Sequence, residues 1–454
     1  MNKKLELFKK TLENKKITVI GIGVSNIPLI KFLCENKAQV TACDKREKED
    51  LKDELDALSG FDVTYKLGED YLKNLSGEII FKTPGMRFDV PELVLARENG
   101  SLVTSEMEVF FELCPAKIIA VTGSDGKTTT TTLISEMLKK QGFTVHLGGN
   151  IGKPLIGEIE DIKEEDVAVL ELSSFQLHTM KQSADISVIT NLSPNHLDYH
   201  KDMAEYIDAK KNIYLHQGKE GILVLNNDNE ITNKLSSEAN GKVRMFSRKE
   251  KIENGVCLDG EEILINGKPV LNIADIRIPG MHNVENYMAA IAAVYDMVDE
   301  ETILYIAKNF SGVEHRIEFV REIGGVLFYN DSIASSPTRA IAGLHAFNKK
   351  LIIIAGGYDK KIPFDDYGYE IKDHVKKLFL IGKTKDLIKA AAEKAGMTDI
   401  VIADTLEDAV KGAYEAAEKG DVVMLSPACA SFDMFKNFMI RGELFKEYVN
   451  KLEE

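Results

Sequence analysis

The stretch KIIAVTGSDGKTTTTTLISEMLKK, residues 117–140, decides the fold. Its first part, KIIAVT, is an apolar run of the kind that forms a buried strand. GSDG ends the strand, and Gly123 and Gly126 let backbone N–H groups approach an anion. Lys127 and a run of hydroxyl residues then open a helix to about Lys140, whose N-terminus adds partial positive charge. Lys127 has the reach to meet terminal phosphates, and the Thr128 hydroxyl can ligate Mg2+. The spacing is shortened: where GxxxxGK[ST] has its first glycine, this chain has Val121. Strand, glycine turn and phosphate-facing helix together open a parallel α/β domain.

The same alternation runs outward in both directions. ITVIGIG (17–23) and QVTACD (39–44) flank a helix to about Asn36, and EIIFKTPG (78–85) is a strand ending in a Pro-Gly turn. DVAVLEL (166–172) and ISVITNL (186–192) follow the glycine loop, and in the last third VLFYND, LIIIAGG, LFLIG, IVIAD and VVMLS each precede a helical segment. That pattern predicts parallel sheets covered by helices. VCLDGEEILINGKPVLNI (256–273) alternates apolar and polar residues instead and reads as a hairpin turning at Asn266-Gly267. The pattern restarts near Glu108 and near Ser311-Gly312. The expected domains are therefore 1–108, Rossmann-like; 109–311, a central P-loop-type ATPase domain; and 312–454, again Rossmann-like.

Composition narrows the function. Of 454 residues, 72 are acidic and 57 basic, a net charge of −15 that argues against nucleic-acid or anionic-membrane binding. Any phosphorylated ligand must meet local positive potential. The five cysteines, at 34, 43, 114, 257 and 429, form no CxxC pair and suit a reducing cytoplasm. MNKKLELFKK lacks the apolar core of a signal peptide, and no run of about 18 apolar residues exists to span a membrane.

Other residues fall where α/β folds bind ligands. Glu171 ends the apolar strand VAVLEL, so its carboxylate faces the crevice beyond the strand ends. His196 follows ISVITNL by a few residues, in a turn with Pro194, Asn195 and Asp198, and together Glu171 and His196 could hold Mg2+ beside phosphate oxygens. GIGVSN (21–26) resembles the dinucleotide fingerprint GxGxxG, with Asp44 about twenty residues on, but Asn26 stands where the third glycine would be. By residue type alone Lys210 and Lys211 read as exposed helix lysines, Asn283 and Asn286 fit helix capping, and Asp44–Arg46 fits a solvated strand end.

TGSDGKTT resembles the ATP loop of the Mur ligases and of folylpolyglutamate synthetase. GGNIGKP (148–154), ELSSFQL (171–177), NLSPNHLDYH (191–200), AKKNI (209–213), PGMHNVEN (279–286), EHRIE (314–318), NDS (330–332) and LSPACASFDMFKNFMIRGELF (425–445) follow in the family's order. The likeness spans essentially the whole chain. The last block, with NDS and the glycines before Tyr358, is similar to the D-glutamate-adding branch of the Mur ligases. The DNPR signature of the diaminopimelate- and lysine-adding branches is absent.

This resemblance implies an ATP- and Mg2+-dependent cytoplasmic enzyme, expected to be a monomer, that joins D-glutamate to UDP-N-acetylmuramoyl-L-alanine through an acyl phosphate. It implies that Gly123, Ser124, Asp125, Gly126, Lys127, Thr128 and Thr129 cradle ATP, with Asn283 and Asn286 on the adenine. Asn150 would touch the transferring phosphoryl group, while Thr128, Glu171 and His196 bind metal. Lys210, in the pattern AKxxI, would carry a carbamate that completes a second Mg2+ site. Val24 and Ser25 would meet the diphosphate of the UDP substrate, Asp44, Lys45 and Arg46 would flank its uridine, and Thr83, Pro84 and Gly85 would form a second loop there. Arg316 and Asp331 would stand near nucleotide phosphates and a hinge, and Lys360, Ser431 and Phe438 would meet D-glutamate. One departure stands out: NDSIAS puts Ile333 where many D-glutamate ligases have lysine. A related ligase adding another amino acid, a P-loop NTPase switch, and an NAD oxidoreductase built on the first domain are the competing readings.

Overall fold

The computed structural model describes residues 2–196 and 199–453; Asp198 lies outside them. The chain divides into two compact units, residues 1–273 with 285–306, and residues 274–284 with 307–454.

The first unit holds two sheets. The five-stranded one runs Val63–Leu67, Gln39–Asp44, Lys16–Ile20, Ile79–Phe81, Leu102–Thr104, and every neighbouring pair is parallel. The chain winds outward from Lys16–Ile20 in one direction and then in the other. The loops after Ile20, Asp44 and Phe81 therefore emerge at a topological switch point, where such sheets bind ligands.

The nine-stranded sheet carries the glycine loop. Its strand Lys117–Thr122 lies between Val167–Glu171 and Ile186–Ile189, parallel to both. Burial on both faces explains why the strand is apolar throughout: Ile119, Ala120 and Val121 are fully inaccessible. The helix after the loop spans Lys127–Gln141 and ends at Gly142, whose φ of 105° admits the left-handed cap. At its start the Thr131 and Thr132 hydroxyls donate back to the carbonyls of Lys127 and Thr128.

One expectation needs correction. Residues 255–272 form not one hairpin but a three-stranded meander, Gly255–Asp259, Glu262–Ile265 and Lys268–Asn272. Asn266 and Gly267, with φ of 49° and 80°, make the expected two-residue turn. A second two-residue link, Gly260-Glu261, makes the extra reversal; Gly260 has φ of 61°.

The second unit is built on a six-stranded sheet. An antiparallel edge, Glu318–Ile323 on Val326–Asn330, is followed by four parallel strands, Val422–Leu425, Leu351–Gly356, Val375–Ile381 and Ile400–Ile402. Alternate residues of Leu351–Gly356 enter two cores: Leu351, Ile353 and Ala355 on one face, Ile352 and Ile354 on the other. Among the described residues no helix is long and apolar enough to cross a membrane.

Candidate active site

In the first unit the glycine loop is fixed from behind by the segment after Ile189. Ser124 Oγ donates to the Ser193 carbonyl, accepts from Ser193 N–H, and lies 2.9 Å from the Tyr206 hydroxyl. Thr190 Oγ1 donates to the Asp125 carbonyl at 2.6 Å, and Asp125 N–H donates to Asn191 Oδ1. Two glycines are required by space as well as by dihedral. Gly123 has φ of 149° and Gly126 φ of 77°, and a Cβ would collide with Thr190 Oγ1 at the first and with Asn286 Oδ1 at the second. Lys127 Nζ donates to the Gly123 and Ser124 carbonyls, at 3.0 and 2.9 Å. Thr128 is half-buried and Thr129 buried on the following turn.

Lys210 belongs to the same cluster. It is buried, 2% exposed, and its Nζ donates to Thr122 Oγ1 and the Gly123 carbonyl, both at 3.0 Å. It also lies 4.9 Å from the centroid of the Tyr206 ring. This corrects the reading from residue type, which put Lys210 on an exposed helix face. Lys211 is the outward one and pairs with Glu238 and Asp208. Burial, and then the charge of Lys127, push Lys210 well below the ordinary lysine range, with Glu171 pulling the other way.

Glu171 is 2% exposed at the end of its strand. Its Oε1 accepts from Asn150 Nδ2 at 2.8 Å, while its buried Oε2 has no hydrogen-bond partner. An orphaned buried carboxylate oxygen, on the strand end paired with the one that leads into the loop, is the kind of group a divalent cation satisfies. The Asn150 N–H donates to the Glu171 carbonyl, so backbone as well as side chain sets that asparagine. His196 is exposed, in a left-handed conformation with φ of 54°, its ring 4.9 Å from that of Phe175. It is three residues from Ser193, which holds the loop.

The loops of the five-stranded sheet also converge. Asp44 is buried and not a solvated strand end. Its Oδ2 accepts from Ile22 N–H at 2.8 Å and its Oδ1 from Arg46 N–H at 2.9 Å. Burial alone would raise its carboxyl, but the bonds from Arg46 and Ile22 bring it below the usual range. Arg46 bonds onward to the Ile22 carbonyl and Glu54. Asn26 explains the missing third glycine: its Nδ2 donates to the Ile20 and Gly21 carbonyls, tying the turn to the strand end. Thr83 faces Gly21, where a Cβ would stand 3.1 Å from Thr83 Cβ. Val24, Ser25, Lys45 and Gly85 are exposed around these loops, and Pro84 is half-buried.

The second unit gathers another group. Asp331 is buried, its Oδ2 accepting from Ser426 Oγ at 2.9 Å and its Oδ1 from Ile317 N–H at 3.3 Å; burial pushes its carboxyl up to about 7. Arg316 lies between His315 and Ile317, whose φ values of 63° and 44° mark a strained corner, the second unusual for a β-branched residue. Lys360 Nζ donates to the Ser335 carbonyl, two residues past Ile333. Phe438 opens the helix Phe438–Lys451, and its carbonyl accepts from Ser332 Oγ at 2.7 Å. Ser431 is buried, and its carbonyl accepts from Phe435 N–H. Asn283, on the helix Met281–Val294, donates from Nδ2 to the Pro279 carbonyl at 2.6 Å. Asn286, on the same helix, belongs to the first unit and meets Thr130 Oγ1 at 3.4 Å.

Several residues went unnoticed in the sequence. Buried Arg441 donates to Ser332 Oγ, the Ser332 carbonyl and the Cys429 carbonyl, joining the NDS and SPACAS segments. Tyr206 was detectable: it stands one helical turn before Lys210. Thr122, Thr190 and Asn191 act through strand adjacency, which the linear sequence hides.

The chain matches three domain models in order: Mur ligase MurD-like, N-terminal domain, over 15–105; Mur ligase middle domain over 121–294; and Mur ligase, glutamate ligase domain, over 315–429. It is 57% identical over 465 residues to a UDP-N-acetylmuramoylalanine–D-glutamate ligase of Acetivibrio thermocellus, covering 100% of both chains. A Clostridium novyi protein of the same name is 53% identical, again over 100% of both. Among solved structures, the UDP-N-acetylmuramate-alanine ligase of Thermotoga maritima superposes with a TM-score of 0.60 at 19% identity, covering 96% of this chain and 99% of that one. At that identity it bears on the fold alone, while the domain models and full-length relatives place the sequence itself: this chain belongs to the Mur ligase family.

Proposed function

We propose that this chain adds D-glutamate to UDP-N-acetylmuramoyl-L-alanine, with cleavage of ATP to ADP and phosphate, in the cytoplasmic stage of peptidoglycan precursor synthesis. One observation carries the reading. The glycine loop, Glu171 and Lys210 converge at neighbouring strand ends, in a chain more than half identical over its whole length to ligases of that name.

The chemistry follows from a poor leaving group. A carboxylate resists attack by an amine, so its oxygen first takes the γ-phosphoryl group of ATP. The amine of D-glutamate then attacks the carbonyl carbon of this acyl phosphate. Collapse of the tetrahedral intermediate breaks the bond to the phosphate oxygen and leaves the amide. Positioning and charge supply the catalysis, and no covalent enzyme nucleophile is needed.

Residues 123–129 cradle the phosphates in this scheme, with Lys127 and the N-terminus of the helix Lys127–Gln141 countering charge on the γ-phosphoryl group. Asn150 orients that group. Thr128, Glu171 and His196 would hold Mg2+, whose charge shields the phosphate oxygens; the unpartnered Glu171 Oε2 fits that duty. Lys210 has the burial and the lysine neighbour that favour the neutral amine a carbamate forms from, and the modified side chain would serve a second Mg2+. Asn283 and Asn286 take the adenine, and Arg316 and Asp331 are assigned to the nucleotide phosphates. Val24, Ser25, Asp44, Lys45, Arg46 and Thr83–Gly85 take the UDP substrate; Lys360, Ser431 and Phe438 take D-glutamate. The enzyme is read as a monomer that binds neither nucleic acid nor membrane.

An isotope experiment tests the route. Substrate labelled with 18O in the alanyl carboxylate should deliver one label to inorganic phosphate for each amide formed. Product formation with unlabelled phosphate would refute the acyl phosphate.

A further inference from the structure

Arg87 lies two residues beyond the Thr83–Gly85 loop, outside every group discussed so far. Its guanidinium is held on all sides. Nη1 and Nη2 each donate at 3.0 Å to the two carboxylate oxygens of Glu205, and Nε and Nη2 each donate at 2.8 Å to those of Asp89. Nη1 also donates at 2.7 Å to the Tyr199 carbonyl. The side chains of Arg87 and Glu205 are only 22% and 19% exposed, so the pair is shielded more than an ordinary surface bridge. Two bidentate contacts fix direction as well as distance.

The contacts with Glu205 and Tyr199 lead to segments bearing residues of the phosphoryl-transfer site. Glu205 is on the helix Met203–Lys211, which presents Lys210. Tyr199 is three residues past His196, and its ring, like that of His196, packs on Phe175. The third route runs through His200, 3.5 Å from Glu205, whose Nε2 lies 2.9 Å from Ser174 Oγ, three residues past Glu171. Phe88 adds a ring contact at 4.9 Å to His178, which also faces Glu205.

We propose that Arg87 is a positioning residue. Through Glu205 and Tyr199 it sets the segments of Glu171, His196 and Lys210 against the substrate loop that it follows. The inference rests on the reading of those three residues as the metal and phosphoryl site. A lysine could not replace it, because a single ammonium cannot bridge two carboxylates in the plane of a guanidinium.

The test uses the full chain with Arg87→Lys, Arg87→Ala, Glu205→Gln and the exchange Arg87→Glu/Glu205→Arg. Calorimetry with Mn2+ and ADP reads the metal–nucleotide site without turnover; kcat and the KM for the UDP substrate are read separately. Displacing a reacting group by ~1 Å costs up to roughly 10²-fold. Arg87→Lys and Glu205→Gln should therefore lower kcat about 10–100-fold and weaken Mn2+–ADP binding, with a smaller change in KM. The exchange should recover part of both. Variants that melt earlier yet keep wild-type kcat and Mn2+–ADP affinity at a permissive temperature would overturn the proposal. Wild-type enzyme that fails to bind Mn2+–ADP at all would instead refute the underlying site.

Discussion

The Gly123 carbonyl accepts from both Lys127 and Lys210. They should fail differently. Lys127→Ala removes a charge from a half-buried position at a loop–helix junction, so the fold should survive and phosphate release should fall roughly 10²–10³-fold. Near-normal turnover at saturating ATP would remove the loop from the mechanism. Lys210→Ala should also lose activity, and short carboxylic acids should restore part of it by standing in for the carbamate. Lys211→Ala should change little, since Lys211 serves only a peripheral pair with Glu238 and Asp208. Full activity of Lys210→Ala would exclude the carbamate. Residue type does not tell two adjacent helix lysines apart; the AKxxI pattern points to Lys210 and to a place that disfavours its ammonium form, and the packing of the helix on Thr122 buries it there.

Asp331 makes the stability of the fold depend on pH. Its carboxyl is raised by burial to about 7, so the folded state holds the proton more tightly than the unfolded chain. That preference stabilises the fold fully below the unfolded value near ~4 and is lost as pH rises through about 7. Asp331→Asn keeps an acceptor for Ile317 N–H and a partner for Ser426 while removing the titration. Its melting temperature should gain on wild type between pH 5 and pH 8. A constant difference across that range would contradict the assignment.

Among the elements, the glycine loop was legible to within a residue at either end and the meander was not. Strand and helix limits near 117–141 follow from apolar run, glycine break and hydroxyl-rich start. Two turn dipeptides, Asp259-Gly260 and Asn266-Gly267, stand in 256–273, and a single hairpin uses only the second; the strand pairing shows that the chain reverses at both. The loop also makes a steric prediction. Gly126→Ala meets both the left-handed φ and the Asn286 oxygen, so it should lower the melting temperature and weaken ATP-analogue binding at least about tenfold, one decade being ~1.4 kcal/mol. Wild-type affinity would mean that Asn286 yields freely and sets nothing in the loop.

For the whole molecule, alternation of strands and helices sufficed for the α/β class and for three sheets, and motif order sufficed for the family. What the sequence withheld is three-dimensional adjacency: the Asp44–Arg46–Ile22 clasp, the Asn26 tie that replaces a glycine, and Arg441 joining the segments of Ser332 and Cys429. Both Asp44 oxygens, which a dinucleotide ribose would need as acceptors, are already engaged by Ile22 N–H and Arg46. The full chain should therefore bind UDP and not NAD in calorimetry; the reverse would favour an oxidoreductase.

Amino-acid choice is where the sequence, with Ile333 in NDSIAS, differs from the expected lysine. The most direct test of the whole account is phosphate release from ATP with UDP-N-acetylmuramoyl-L-alanine and a panel of D-glutamate, L-glutamate, L-lysine and meso-diaminopimelate. Release is expected with D-glutamate and background with the other three. Equal or greater release with another amino acid, or release with none of them, would contradict it.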